Sequence, residues 1–159
     1  ILDTDAEGRL ILADAISYCK NYNPRTIIDI ATLTGQIEDI FNKMATGILG
    51  NDKTLINNII NASIYENEKT WELPIWDEYV DDTKSTIADL KNIDPNGTAS
   101  TINGAAFLKN FIPKTKKNIN WVHLDIAGVS HIKDDSKFRY AGATGEYYRT
   151  LVTLFMLFF

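Results

Sequence analysis

Apolar positions along this chain follow two rhythms. Leu10, Ala13, Ile16 and Cys19 recur at three-residue steps, which predicts a helix from Leu10 to Tyr22 with its breaking signal at Asn23-Pro24. The next segment, Arg25 to Thr32, contains Ile27-Ile28-Asp29-Ile30-Ala31, a β-branched, mostly apolar run that fits a strand buried on both faces. Thr46 to Gly50 reads as a short strand between glycines, and Asn51 or Asp52 then caps a helix reaching about Tyr65, with Leu55, Ile59 and Ala62 on one side. Trp71-Glu72-Leu73-Pro74 is extended, because a residue before proline is held out of the helical region. Short helical patterns follow at Trp76 to Asp82 and Ile102 to Phe111, the second ended by Pro113. Trp121 to Gly128 is a second buried strand, and the chain closes on a helix whose last stretch, Leu151 to Phe159, is apolar apart from Thr153. Helix followed by buried strand is the order of an α/β fold.

Composition narrows the class. The chain has 159 residues, 45% hydrophobic and 23% charged, which suits one soluble globular domain with a real core. A net charge of −5 argues against a general nucleic-acid surface. Cys19 is the only cysteine, so no internal disulfide can form, and its place on a helical apolar stripe fits a core thiol in a reducing, cytoplasmic setting. No signal-peptide pattern opens the chain. It starts without Met, directly in an acidic motif, and is expected to be the C-terminal part of a longer catalytic domain. The apolar end is far shorter than the roughly 20 residues a membrane span needs, so burial in the full protein or between subunits is expected there, not a membrane.

The densest candidate chemistry is Asp3-Thr4-Asp5-Ala6-Glu7-Gly8-Arg9-Leu10, with three carboxylates in five residues. If this stretch is extended, Asp3, Asp5 and Glu7 share one face, and a divalent cation is the simplest way to hold them together. The competing arrangement is an acidic helix N-terminus, favoured by capping and by the helix dipole and commoner on spacing alone. Arg9, beside Gly8, stands at the helix start and suits an anion, or else pairs locally with Asp5 or Glu7. Thr32-Leu33-Thr34-Gly35 closes the first strand, where ligands gather in open α/β sheets, although Thr34 also reads as an ordinary helix cap.

Elsewhere the bland readings win. Asp29 is expected to be satisfied by a neighbouring backbone or basic group. His123 and Asp125 alternate to one face and are expected to form a core pair that pins their strand. Asp77, Glu78, Asp81 and Asp82 read as a solvated face beside Lys84 and Lys91. Lys114, Lys116 and Lys117 read as a solvated basic loop, and His131 as surface.

These motifs carry a resemblance. DTDAEGRL is similar to the NTDAEGRL signature of the leucine (cytosol) aminopeptidases, two-metal exopeptidases, and IATLTG, WELP, IADLKN, WVHLDIAG and GATG follow in family order. The resemblance implies a three-layer α/β/α domain of the zinc-exopeptidase type with a mixed, mainly parallel sheet. It implies two divalent ions (Zn or Mn), with Asp5 and Glu7 as ligands. Arg9 would act in catalysis, stabilising developing charge directly or through a bicarbonate. Substrate or bicarbonate would be met by Gly8, Thr32, Leu33, Thr34 and Gly35, with Ala127 and Ser130 near the pocket. Peptides releasing an N-terminal leucine-type residue would be the substrates, and a homo-hexamer the assembly.

This chain departs from the family pattern at Asp3 (Asn in the family), at Gln36-Ile37-Glu38-Asp39 (small and apolar there) and at Thr98-Ala99-Ser100 (glycine-rich there). The family's remaining ligands, two aspartates and a lysine, lie upstream of this stretch, as does a lysine thought to polarise the peptide carbonyl. Two ions need roughly four to six donors each, so the chain alone is expected to bind metal weakly and to be inactive. The alternative is a non-catalytic truncated or paralogous subunit with a structural or interaction role.

Overall fold

The computed structural model describes residues 1–114, 118–135 and 140–158, the side chain of residue 158 excepted. Lys116 and Lys117 of the basic loop, and Phe159 at the end of the last helix, lie outside the described residues.

The periodic segments form where the pattern places them. α1 spans Glu7–Cys19 and continues into a 3-10 turn at Lys20–Tyr22, which ends at Asn23 in the left-handed region (φ 48°) just before Pro24. β1 spans Thr26–Ala31, α2 Ile37–Phe41, β2 Thr46–Gly50, α3 Lys53–Tyr65 and β3 Thr70–Glu72. α4 (Asp77–Asp81), α5 (Ser100–Lys109), β4 (Asn120–Asp125), β5 (His131–Ile132), β6 (Gly142–Ala143) and α6 (Tyr148–Phe158) complete the chain. Asp52 caps α3, its side chain accepting the Leu55 amide at 2.7 Å. Glu38 and Asp39 lie in the first turn of α2, where acidic side chains complement the helix dipole, while Ile37, which begins the helix, is fully buried.

The main sheet has the order β1-β4-β2-β3. β1 and β4 are parallel, as are β2 and β3, and the central β4–β2 pair is antiparallel, so the sheet is mixed and mainly parallel. Alternation along the strands splits the core in two. Ile27, Leu49 and Trp121 face α1 and α5 through Ala13, Ile16, Ala105 and Leu108. Ile48, Val122 and Leu124 face α3 and α6 through Leu55, Ile59, Ala62 and Leu154. This is a three-layer α/β/α arrangement, helices on both faces of one sheet. β1 and β4 run the same way and stop together, with Ala31 opposite Asp125, so their carboxyl ends open on one edge of the sheet. No helix among the described residues is long and apolar enough to cross a membrane.

Candidate functional site

The acidic motif is coiled, not extended. Asp3 accepts the Asp5 amide at 2.9 Å and caps a 3-10 turn at Thr4–Ala6, which leads directly into α1 at Glu7. Asp3, Asp5 and Glu7 therefore do not share a strand face, and the capped-helix arrangement is the one that forms. The physical reason is that a capped turn satisfies amide groups that an isolated extended segment would leave to water.

Asn92, 89 residues away in sequence from Asp3, holds this turn in place. Its Oδ1 accepts the Leu2 amide at 2.8 Å and the Asp3 amide at 3.4 Å, and its Nδ2 donates to the Asp3 carbonyl at 2.6 Å. Its own carbonyl accepts from an Arg9 guanidinium nitrogen at 2.9 Å. Arg9 is only 6% exposed and makes no ion pair with Asp5 or Glu7, so the local pairing does not form. Burial pulls the guanidinium pKa down, opposed by the charges of Asp3 and Asp125. A guanidinium so placed keeps its charge but has little water around it, which suits it to an anion.

The loop after β1 meets this turn from the other side. Asp125, fully buried at the end of β4, accepts the Leu33 amide at 3.2 Å and the Ala127 amide at 3.2 Å on Oδ1. Its Oδ2 accepts the Thr34 amide at 3.1 Å and the Thr34 hydroxyl at 2.7 Å. Thr34 Oγ1 lies 2.6 Å from Thr101 Oγ1, which ties the loop to α5. A side chain at Gly104 would begin 3.2 Å from Leu33 and 3.5 Å from the Arg9 guanidinium, so this glycine lets α5 pack against the site.

Asp125 therefore does not pair with His123. The partner of His123 is Asp29, with Nδ1 and Oδ1 2.5 Å apart across the parallel register, and Trp121 Nε1 donates to the other Asp29 oxygen at 2.6 Å. The expected His123–Asp125 pair does not form; the core pair is His123–Asp29, and it runs between strands. Asp29 and His123 stand opposite each other in the ladder, whereas residues two apart on one strand are separated by a full pleat.

Together the two segments enclose a cavity of about 320 Å³ at the carboxyl ends of β1 and β4. Asp5, Glu7, Gly8 and Arg9 line one wall, and Thr32 to Gln36 the other, with Asp3 at the same wall as the acidic turn. Asp94, Gly97, Thr98, Ser100 and Asn103, from the loop into α5 and its first turns, close it. All the expected site residues up to Gly35 thus converge. Ala127 and Ser130 are not in the lining. Ala127 sits behind Asp125 through the amide bond above, and Ser130 donates to the Ala127 carbonyl at 3.3 Å. The sequence reading gave no role to Asn92 or Asn103 and misassigned Asp125. An aspartate where a strand ends was a visible signal for Asp125, and Asn92 closes the IADLKN motif, which marked the position without its role; no local pattern marks Asn103.

The donors present fit a hard divalent cation in kind. Asp5 and Glu7 are exposed carboxylates on the cavity wall. They fall short in number, because among the described residues no three His, Cys, Asp or Glu side chains converge as a metal site requires. The acidic α4 is a solvated face: Asp81 pairs with Lys84 at 2.6 Å and Asp77 with Lys109 at 3.6 Å, each at an exposed carboxylate. His131 is exposed, as expected, at the start of β5.

A family model described as "Cytosol aminopeptidase family, catalytic domain" matches residues 1–152. A probable cytosol aminopeptidase of Vesicomyosocius okutanii is 45% identical over 146 residues, covering 92% of this chain and 29% of that protein. Proteins of the same description from Geotalea uraniireducens and Thioalkalivibrio sulfidiphilus are 44% and 46% identical, covering 96% and 92% of this chain. The chain spans less than a third of the length of these relatives, 30% and 28% of the latter two.

Proposed function

This chain belongs to the cytosol aminopeptidase family, and from that premise we propose that it forms one wall of the active site of a metal-dependent aminopeptidase that releases N-terminal, leucine-type residues from peptides. One observation carries the reading: the acidic turn with Arg9 and the loop after β1 meet in a single cavity at the carboxyl ends of two parallel strands.

Asp5 and Glu7 would hold divalent metal, Zn or Mn, with further donors from outside this chain. Such ions supply Lewis-acid polarisation of a carbonyl and lower the pKa of bound water. The chain's own residues do the rest. Arg9, fixed by the Asn92 carbonyl and shielded from water, faces the charge that develops on the attacked carbonyl, directly or through a bound bicarbonate. The main chain at Leu33 to Gly35 orients the peptide, with Thr32 and Gly8 beside it. Pre-set donors in a shielded cavity cost no reorganisation during reaction, which is why a buried guanidinium serves better here than a surface one.

A hexameric, cytoplasmic enzyme is part of the same proposal. The exposed apolar residues Met156 (79% exposed) and Leu157 (62%) on α6 support only the part of it that buries this face against further protein, of the same chain or of another subunit. One observation favours a structural role for the chain taken alone: the shortage of converging metal ligands among the described residues.

The test is release of leucine from a leucyl anilide by the whole protein with Mn or Zn, beside Glu7→Ala. Metal-dependent release that falls by about 10²-fold or more in the variant is the expected result. Bound metal without release in the wild type refutes the peptidase reading. Absence of both metal binding and release favours the structural role.

A further inference from the structure

Asp125 makes four hydrogen bonds and none of them belongs to the sheet. The β1–β4 ladder is closed by backbone groups, the last being the Ile126 amide donating to the Ala31 carbonyl at 2.9 Å. The carboxylate is spent instead on the loop: the Leu33 and Thr34 amides, the Thr34 hydroxyl and, from its own strand end, the Ala127 amide. An ionised carboxylate offers about four acceptor sites and no donor, and here every one faces an N–H or O–H. It is fully buried, so water cannot substitute for any of these bonds.

We propose that Asp125 is a positioning residue for the aminopeptidase reaction, fixing the Leu33–Thr34 main chain opposite Asp5, Glu7 and Arg9 across the cavity. This inference rests on the peptidase reading above. Asp125 does not line the cavity and touches no substrate; it acts through the loop, which does. The constraint extends one step further, through Thr34 Oγ1 to Thr101 Oγ1 on α5, so that β4, the loop and α5 form one rigid wall. An asparagine in place of Asp125 keeps the shape but turns one oxygen into a donor. Whichever way the amide flips, that donor faces at least one amide N–H, and the loop must move away.

The experiment uses the whole protein loaded with Mn or Zn and a leucyl anilide, at a temperature well below the melting of each variant. Asp125→Asn is expected to lower kcat by about 10- to 100-fold while KM stays within about threefold, because misplacing an orienting group acts on the reacting geometry more than on occupancy. Amide hydrogen exchange should rise about tenfold or more at Leu33 and Thr34 and stay unchanged at Ile27 and Val122, whose amides lie within the β1–β4 ladder. Thr34→Val retains both loop amides and the shape of the side chain but loses the hydroxyl. It should give a smaller fall in kcat, about 3- to 10-fold, and it carries the test if Asp125→Asn does not fold.

Unchanged kinetics in a folded Asp125→Asn, or in Thr34→Val where that variant carries the test, overturn the inference and leave the peptidase reading standing. So does exchange that accelerates along all of β1 and β4, which is the mark of a purely structural carboxylate. A metal-loaded wild type that releases nothing removes both.

Discussion

At Ala99 the backbone turns left-handed, with φ 48° and ψ 34°, immediately before α5 begins at Ser100. For a residue with a Cβ that conformation costs roughly 1–2 kcal/mol, and glycine adopts it freely. Gly97, two residues earlier, also has positive φ (67°), so the loop needs permissive residues at two positions and has glycine at one. Ala99→Gly is therefore expected to stabilise the protein by about 0.5–1 kcal/mol, the strain relieved exceeding the extra freedom gained by the unfolded chain. Urea unfolding of the two proteins decides it, and a loss of stability in the variant would show that the strain is absent. The same scale holds the residues hardest to foresee. Asp29 was legible as a satisfied carboxylate, because an ionised side chain in an apolar run must find donors. Its partners, His123 and Trp121, were not, because they are 94 and 92 residues distant.

The helices differ in what secures their ends. Asp52 caps α3 from the adjacent residue, and a reader of the sequence can find it. α6 is secured from outside. Glu68, 2% exposed, accepts the Thr150 amide at 3.2 Å and the Thr150 hydroxyl at 2.5 Å, and it takes the Arg149 guanidinium at 3.3 Å. It stands in for an N-terminal cap from just before β3, 82 residues away from Thr150. Removing it leaves a buried amide and hydroxyl without an acceptor. Glu68→Ala is expected to cost about 2–3 kcal/mol. That corresponds to a fall in Tm of roughly 4–12 °C in a domain of this size. Calorimetry of the variant checks this, and a shift under about 2 °C would mean that α6 is held by its apolar face alone.

Across the whole molecule, Tyr147 joins the layers. It is fully buried at the start of α6, and its hydroxyl hydrogen-bonds that of Thr70 in β3. Burial raises its pKa from the ordinary 10.0, and the nearby Glu68 charge adds to this, against hydrogen bonds from Thr70 and Ser63. The folded protein thus keeps this proton when the unfolded chain loses it. Stability from this group is complete below the unfolded value of 10.0 and is lost as pH rises above it, at up to about 1.4 kcal/mol per pH unit. Tyr147→Phe should be less stable at pH 7, having lost a hydrogen bond, and should lose stability more slowly above pH 10. Urea midpoints measured from pH 7 to 11 test this, and parallel alkaline slopes for the two proteins would assign the loss to other groups.

The sequence by itself determined the main helices and strands, the α/β order and the family, because periodicity, caps and contiguous motifs are local and are written in adjacent residues; the short α2, β5 and β6 were not legible there. It also marked both halves of the cavity, the acidic turn with Arg9 and the loop from Thr32 to Gly35. Only the tertiary structure decided how they are joined. The acidic motif coils because a capped turn satisfies its amides, Asn92 ties that turn across the molecule, and Asp125 turns to the loop while Asp29 takes His123. Buried polar groups must find partners, and which partners lie within hydrogen-bond reach follows from the register of strands and the packing of helices, which no local pattern along the chain reveals.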